Sequence, residues 1–399
     1  MNKKSVKDIP LSGKRVLMRV DFNVPLDENC RVTSDKRIRA AAPTIEYILG
    51  QGGRLALMSH LGRPKGERIG KMSLEPCVEV LSEIIGRKVA FVPDCVGEKT
   101  EKAVSALAAG EVLLLENLRY YKQETGNDPD FCRQLAKLCD VYVNDAFGTA
   151  HRAHASTEGV TRFVDTAVSG LLMEKEIKYL HGAVNDPARP FVAVLGGAKI
   201  SGKIDVIGNL LPKVDKLIIG GGMAYTFFKA MGLEIGRSLL EQDKVELAAS
   251  LLEKAGDKLV LPVDCVISDR FDFGQRTVGE LKTVTADSIP SAWEALDIGP
   301  GTEELFTGIL ESAKTVVWNG PMGVFEIPAL AKGTEAVAHK LAEVTGAGAV
   351  TIIGGGDSVA AVEGLGLSDQ MTHISTGGGA SLELLEGKDL PGLAALDDA

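Results

Sequence analysis

Residues 191–203 read FVAVLGGAKISGK, an uninterrupted apolar run that breaks into glycines and then into lysines. A continuous, partly β-branched run suits a strand covered on both faces, because a half-solvated strand would alternate. The glycines that follow let the backbone approach a ligand, and a glycine-rich turn opening a helix aims free N–H groups at an anion. The same order recurs along the chain. Strands are predicted at 16–20, 55–58, 89–92, 112–115 and 141–143, and again at 191–195, 217–219, 259–263, 316–318 and 350–353. Periodic stretches such as 76–85 and 243–254 read as helices between them. Strand–helix alternation implies parallel sheets with right-handed crossovers. Two such series predict an α/β protein of two doubly wound parallel-sheet domains.

The junction lies where 170–181 (GLLMEKEIKYLH), read as a helix, runs into NDPARP at 185–190. Proline fixes φ and removes a donor, so this segment ends the helix before the next strand. The expected domains are 1–170 and 189–378, joined by a helix and hinge over 171–188. A length of 399 residues supports such a division, since single cores stop growing at about 250–300 residues. Hydrophobic content of 45% and 25% charged residues exclude whole-chain disorder and fibrous architectures. The opening MNKKSVKDIPLSGKR has no apolar core, and no apolar run reaches the length of a membrane span, so a soluble, cytoplasmic protein is expected. Six scattered cysteines without a C-x-x-C pair read as reduced thiols. A net charge of −10 argues against nucleic-acid binding. That charge is uneven: residues 1–185 hold 27 basic and 24 acidic residues, whereas 186–399 hold 17 and 30. Such asymmetry suggests halves with different ligands.

In open parallel sheets, ligands bind beyond the carboxyl ends of the strands. In the first half those ends carry Asp21-Phe22-Asn23, Ser59-His60-Leu61-Gly62-Arg63, Glu116-Asn117-Leu118-Arg119 and Asn144–Gly148 (NDAFG), running on to His151-Arg152-Ala153-His154. Arg63, Arg119 and Arg152, with His60, His151 and His154, are expected to converge on one crevice, and Arg37 to join them. Guanidinium forks match carboxylates and phosphates. Any one of these arginines alone reads as a surface ion pair; four in one crevice read as a site for a small polyanion.

The second half ends its strands differently, in Gly196-Gly197-Ala198-Lys199, Gly220-Gly221-Gly222, Asn319-Gly320-Pro321, Gly354-Gly355-Gly356-Asp357-Ser358 and Ser375-Thr376-Gly377-Gly378-Gly379. Repeated glycine turns at several ends of one sheet suit a nucleotide. Residues 197–203 fit G-x-x-x-x-G-K, but Ile204 stands where a P-loop needs the magnesium-binding hydroxyl, so that motif is rejected. Lys199 and Lys203, four apart, would share a face if a helix starts there. Asp357 reads either as a magnesium ligand or as a helix N-cap. G-x-G-x-x-G is absent, which weakens a nicotinamide dehydrogenase reading.

With these residues assembled, the sequence resembles the phosphoglycerate kinase family over essentially its whole length. The carrying motifs are VDFNVP (20–25), SHLGRP (59–64), ENLRY (116–120), NDAFGTAHRAHAS (144–156), GGAKISGK (196–203), VWNGPMGVFE (317–326), GGGDS (354–358) and STGGGASLE (375–383). The resemblance implies two Rossmann-like domains across a hinged cleft, with the tail 379–399 packed back on the first. It implies reversible phosphoryl transfer from 1,3-bisphosphoglycerate to ADP, giving 3-phosphoglycerate and ATP, with Mg²⁺ carried by the nucleotide and a monomeric state. Asp21, Phe22, Asn23, Arg37, His60, Leu61, Gly62, Arg63, Arg119 and Arg152 would hold the phosphoglycerate. Gly197, Ala198, Lys199, Lys203, Gly221, Asn319, Pro321, Glu326, Gly355, Gly356, Asp357 and Ser358 would hold the nucleotide, Glu326 on the ribose and Asp357 on the metal. Arg37, Lys203 and the amides of Gly378 and Gly379 would flank the transferring phosphoryl group. The acceptor carboxylate is already ionised near neutral pH, so no general base is needed. Rival readings are another ATP-dependent acyl-phosphate-forming enzyme and a non-catalytic two-domain ligand sensor. The arginine-rich crevice disfavours the first, and the intact set Arg37, Lys203 and Asp357 disfavours the second.

Overall fold

A computed structural model describes residues 2–399, which fall into two compact units. The first comprises the chain up to Lys178 together with Asp389–Ala399; the second is Tyr179–Lys388.

The first unit is built on six parallel strands: β1 (Arg15–Arg19), β2 (Arg54–Met58), β3 (Val89–Val92), β4 (Val112–Leu115), β5 (Val141–Asn144) and β6 (Ala167–Ser169), in the order β3-β4-β2-β1-β5-β6. The chain winds outward from β1 to one side and then resumes beyond it, so the strand order reverses between β1 and β5. That switch point is where a parallel sheet opens a crevice for ligands. Helices cover both faces, and Val16, Met18, Leu55, Leu57, Leu114 and Val143 are buried among side chains of the helices Lys36–Gly50 and Pro76–Ile85. Strand β6 was not anticipated, because three small residues carry little hydrophobic signal.

The second unit holds β7 (Phe191–Leu195), β8 (Lys216–Ile219), β9 (Leu259–Val260), β15 (Thr315–Asn319), β16 (Val350–Gly354) and β17 (His373–Ile374) in the order β17-β16-β15-β7-β8-β9, with its switch point between β7 and β15. Inserted between β9 and β15 are an antiparallel sheet, β10 (Asp264–Ser268), β13 (Leu281–Thr285) and β14 (Glu294–Ile298), and a short hairpin, β11 (Phe271–Asp272) with β12 (Thr277–Val278). The single strand expected over 259–263 is therefore corrected to β9 alone. Pro262 has no N–H for the ladder and separates β9 from β10.

Two further expectations change. The single helix over 170–181 resolves into an α-helix at Leu171–Glu176, a π-helical stretch at Ile177–His181 and a last turn at Gly182–Asn185. Of the tail, only Asp389–Ala399 joins the first unit. There Asp397 N–H donates to the Ala167 carbonyl at 2.8 Å and Asn144 Nδ2 to the Gly392 carbonyl at 2.9 Å. The helix Gly378–Leu385 stays with the second unit because it packs on Ile204–Leu210, where Asn209 Nδ2 donates to the Leu385 carbonyl at 2.7 Å.

Candidate active site

At the carboxyl end of β1 the sequence places Arg19 directly after the apolar run Val16–Met18, and the fold buries it completely. A buried guanidinium must spend its donors. Its Nε donates to Ser156 Oγ at 2.8 Å, Nη1 donates to the Val20 carbonyl, and Nη2 meets His60 Nδ1 at 3.0 Å. Arginine only donates, so His60 Nδ1 accepts and the neutral ring carries its proton on Nε2. Burial, then the charges of Arg19, Arg119 and Arg37, hold His60 well below its ordinary value, which agrees with that tautomer. Ser156 in turn donates from Oγ to Glu124 Oε1 at 2.6 Å and from its N–H to Oε2 at 3.0 Å. Glu124 is fully buried, so Arg19, Ser156 and Glu124 form an internal charge-compensated chain beneath the crevice.

Above it, Asp21 accepts from Arg37 Nη1 at 2.8 Å. Asn23 Oδ1 accepts from the Gly62 N–H at 2.8 Å, and the Gly62 carbonyl accepts from Arg119 Nη1 at 2.8 Å. Gly62 takes φ +61, and a Cβ there would stand 2.9 Å from Met72 Sδ, so the turn that presents this carbonyl needs glycine. Arg119 is buried and its Nε has no partner among the described residues. Burial, then repulsion from Arg19 and Arg152, lowers it to about 10, still fully charged at neutral pH. A cavity of about 210 Å³ is lined by Asp21, Asn23, Arg37, His60, Gly62, Arg63, Arg119 and Arg152, with Gly148 and Thr149. Arg63, Arg119 and Arg152 also face an adjoining cavity of about 600 Å³ that adds Lys65 and Lys122.

The arginines thus converge as expected from the strand ends. Of the expected histidines, only His60 joins them. His151 pairs with Arg152 Nε at 3.1 Å, and His154 sits 3.9 Å from buried Glu124, neither lining the cavity. Burial and the charge of Arg119 lower His154 to about 4. Among the other expected substrate residues, Phe22 and Leu61 have side chains buried in the core, and the Phe22 N–H is donated to Ser59 Oγ at 2.8 Å.

In the second unit the ends of β7 and β15 lie side by side, Trp318 opposite Val194 and Asn319 opposite Leu195. Gly196 and Gly320 make that closeness possible: a Cβ on Gly196 would lie 2.1 Å from the Pro321 carbonyl oxygen. A cavity of about 440 Å³ opens there, lined by Lys199, Lys203, Asn319, Asp357, Ser358, Gly378 and Gly379 and by glycine backbone. Lys203 Nζ donates to Asn319 Oδ1, and burial lowers it to about 8, with Asp357 and Glu386 pulling it back up. The α-helix begins only at Ile204, after a 3₁₀ turn at Ile200–Gly202, so Lys199 and Lys203 do not form the expected helical pair. They reach one cavity through that turn instead. Ser358 Oγ accepts from the Gly320 N–H at 2.6 Å.

A second cavity of about 330 Å³ shares Gly197, Ala198, Pro321 and Asp357 with the first and extends past Gly221 and Gly222 to Tyr225, Leu239, Phe271, Phe273, Glu294 and Glu326. Asp357 is the one carboxylate common to both. Gly355 is the N-cap of the helix Gly356–Gly364, so Asp357 sits in the first turn without capping it, leaving its oxygens for a ligand. No group of three or more His, Cys, Asp or Glu able to hold a metal occurs among the described residues. A single carboxylate beside a glycine turn that opens a helix fits Mg²⁺, which keeps most of its shell as water and phosphate oxygen. The residues that reading strand ends alone did not find are Arg19, Glu124 and the wall contributed by the antiparallel insert. An arginine inside VLMRV was the available signal for the first of these.

A cationic, arginine-lined crevice on one parallel sheet and a glycine-lined, lysine-bearing surface on another define a two-ligand α/β enzyme of the kinase class. The family model described as phosphoglycerate kinase matches residues 6–388. Phosphoglycerate kinase of Chloroherpeton thalassium is 58% identical over 402 residues, covering 100% of both chains. The cytosolic phosphoglycerate kinase of Triticum aestivum is 58% identical, covering 98% of this chain and 96% of that one. Among solved structures, phosphoglycerate kinase from Coxiella burnetii superposes with a TM-score of 0.90 at 41% identity, covering 98% of each chain. The chain belongs to the phosphoglycerate kinase family. Its activity is the ATP:3-phosphoglycerate phosphotransferase reaction of glycolysis.

Proposed function

We propose that the arginine-lined cavity holds the phosphoglycerate and the paired cavities of the second unit hold the nucleotide. The observation that carries this reading is the convergence of Arg37, Arg63, Arg119 and Arg152 with neutral His60 on one small cavity. Four forked cations exceed the need of a single carboxylate and suit a ligand that also bears a phosphate. Asp21 orients Arg37, Asn23 fixes the Gly62 turn, and buried Arg119 carries a donor that lacks a partner among the described residues. In the second unit Lys199 and Lys203 take the phosphates, with the backbone of Gly355 and Gly356. Glu326 takes the ribose, and the peptide faces around Gly197, Ala198 and Gly221 take the base. Mg²⁺ on Asp357 would supply charge neutralisation between the phosphates.

In the ATP-consuming direction a carboxylate oxygen of 3-phosphoglycerate attacks the γ-phosphorus as the bond to the bridging oxygen of ADP breaks. The nucleophile needs no deprotonation, so the chain's contribution is alignment and charge stabilisation. Arg37 and Lys203 would flank the moving group, and the N–H groups of Gly378 and Gly379 would add donors at the start of the helix Gly378–Leu385. With the lysine lowered to about 8, ammonium is still the main form at neutral pH, and a phosphate beside it raises the charged fraction. Lys203→Met is expected to cut kcat by about 10²–10³-fold. The check is a coupled assay in which 3-phosphoglycerate and Mg-ATP feed glyceraldehyde-3-phosphate dehydrogenase and NADH oxidation is followed. A kcat equal to that of the parent removes Lys203 from the chemistry.

The two ligands belong to different units, and direct transfer requires their reacting atoms to meet. The proposal therefore includes hinge closure through the helical segment that ends at Asn185. Small-angle scattering should report compaction only when both ligands are present; unchanged dimensions in the ternary complex count against it. A cytoplasmic monomer completes the reading, its location supported by the cytosolic designation of the Triticum aestivum relative.

A further inference from the structure

The 330 Å³ cavity of the second unit is floored by the peptide faces of Gly221 and Gly222 and flanked by Leu239 and Phe273, which are left 56% and 58% exposed. Exposed apolar side chains gathered at one concavity mark a ligand surface rather than scattered surface hydrophobicity. The gap is narrow: a Cβ on Gly222 would stand 2.9 Å from Leu239 Cδ1 and 3.0 Å from the Ala198 carbonyl. Phe273 meets Phe271 edge-on, with ring centroids 6.3 Å apart. A flat floor with apolar flanks suits the faces of a planar ring, and faces alone do not read which ring it is.

The edge of the ring needs polar atoms. Of the carboxylates on this wall, Glu326 and Asp357 are taken by the ribose and the metal, leaving Glu294. It stands at the start of β14 and lines the cavity together with Leu296, the residue at which the β10–β14 register shifts, and Leu296 packs with Phe271 and Val324. Its carboxylate takes part in no hydrogen bond or ion pair among the described residues. The cation it feels, Arg237, donates its Nη2 to the Asp269 carbonyl. Burial raises the Glu294 carboxyl above its ordinary value. An ionised carboxylate offers lone pairs and no proton, so the only groups it can recognise are donors.

We propose that Glu294 is a specificity-determining residue of this site, accepting a hydrogen bond from an amino or imino N–H on the nucleobase edge. The inference rests on the nucleotide reading of the cavity. It makes the chain discriminate between bases that present a donor and otherwise identical rings that do not, by about 10- to 100-fold for one charge-assisted bond. The test uses the full-length enzyme with ATP and with purine riboside triphosphate, the same ring without its amino group. The parent is expected to favour ATP in kcat/KM by at least about tenfold. Glu294→Met should bring the two substrates toward equality, and Glu294→Gln, which keeps one carbonyl acceptor, should fall between. A ratio unchanged by Glu294→Met overturns the proposal. Leu239→Ala and Phe273→Ala separate the two layers of the argument. If they raise KM for both triphosphates while Glu294→Met preserves the ratio, only the role of Glu294 fails. If they leave both KM values unchanged, the base does not enter this cavity, and the nucleotide reading fails with it.

Discussion

Replacing Arg37 by alanine is expected to lower kcat by about 10³-fold or more while leaving the KM for Mg-ADP essentially unchanged. The asymmetry follows from where the residue stands. Arg37 is the second residue of the helix Lys36–Gly50 and lines the first-unit cavity, whereas the proposed nucleotide surface is lined by residues of the second unit. Its Nη1 is held by Asp21 at 2.8 Å, which fixes the guanidinium without covering it, since the side chain keeps 40% of its exposure. In the proposed reading, a cation presented this way offers its remaining N–H groups to charge that develops only during transfer. Its loss therefore falls on the transition state rather than on ground-state binding. Arg37→Lys should recover little, because a point charge cannot reproduce the planar fork. Steady-state kinetics with both substrates varied decide the matter. A kcat preserved in Arg37→Ala, with only the phosphoglycerate KM raised, would reduce Arg37 to a binding residue.

That the residue could be singled out from sequence reflects how parallel sheets organise function. Strands such as β4 and β7 are buried on both faces and read as bare apolar runs, so their ends, and the loops that follow them, can be located by inspection. The antiparallel insert gives no such signal. Strand β13 has only exposed and half-buried residues, and β14 carries Glu294 and Asp297 within five residues, so neither shows a continuous run. The wall they build around Phe271, Phe273 and Glu294 was illegible for that reason, although it encloses the second half of the proposed nucleotide surface. Long-range pairing is equally hidden. That Glu124 lies under Arg19 depends on Ser156 reaching both, and these three come from segments more than 30 residues apart. The two lysines reach one cavity for a reason the spacing concealed, because a 3₁₀ turn rather than an α-helix joins them.

The same buried chain carries the second large expected effect, this one on stability. Glu124→Ala should destabilise the first unit by about 3–5 kcal/mol. The carboxylate is the anionic partner of Arg19, and both side chains are fully buried, so removing one charge leaves the other uncompensated in the interior. Burial pushes the Glu124 carboxyl up, while Arg19 and the two Ser156 hydrogen bonds pull it down, which is the signature of a group the fold holds at some expense. Glu124→Gln keeps an acceptor for Ser156 and discards only the charge, so its loss should lie between alanine and parent. The measurement must look at the right unit. Trp293 and Trp318 both belong to the second, so tryptophan fluorescence would miss local unfolding of the first. Hydrogen exchange of the amides in β1 and β5 reports it directly, and an opening free energy within about 1 kcal/mol of the parent would dismiss the charge-compensation argument. A functional trace should accompany the instability. Arg19 also donates to His60 Nδ1 at 3.0 Å and fixes the neutral ring that lines the crevice. Loosening Arg19 therefore raises the KM for 3-phosphoglycerate in both Glu124 variants, while the KM for the nucleotide, set by the other unit, stays where it was.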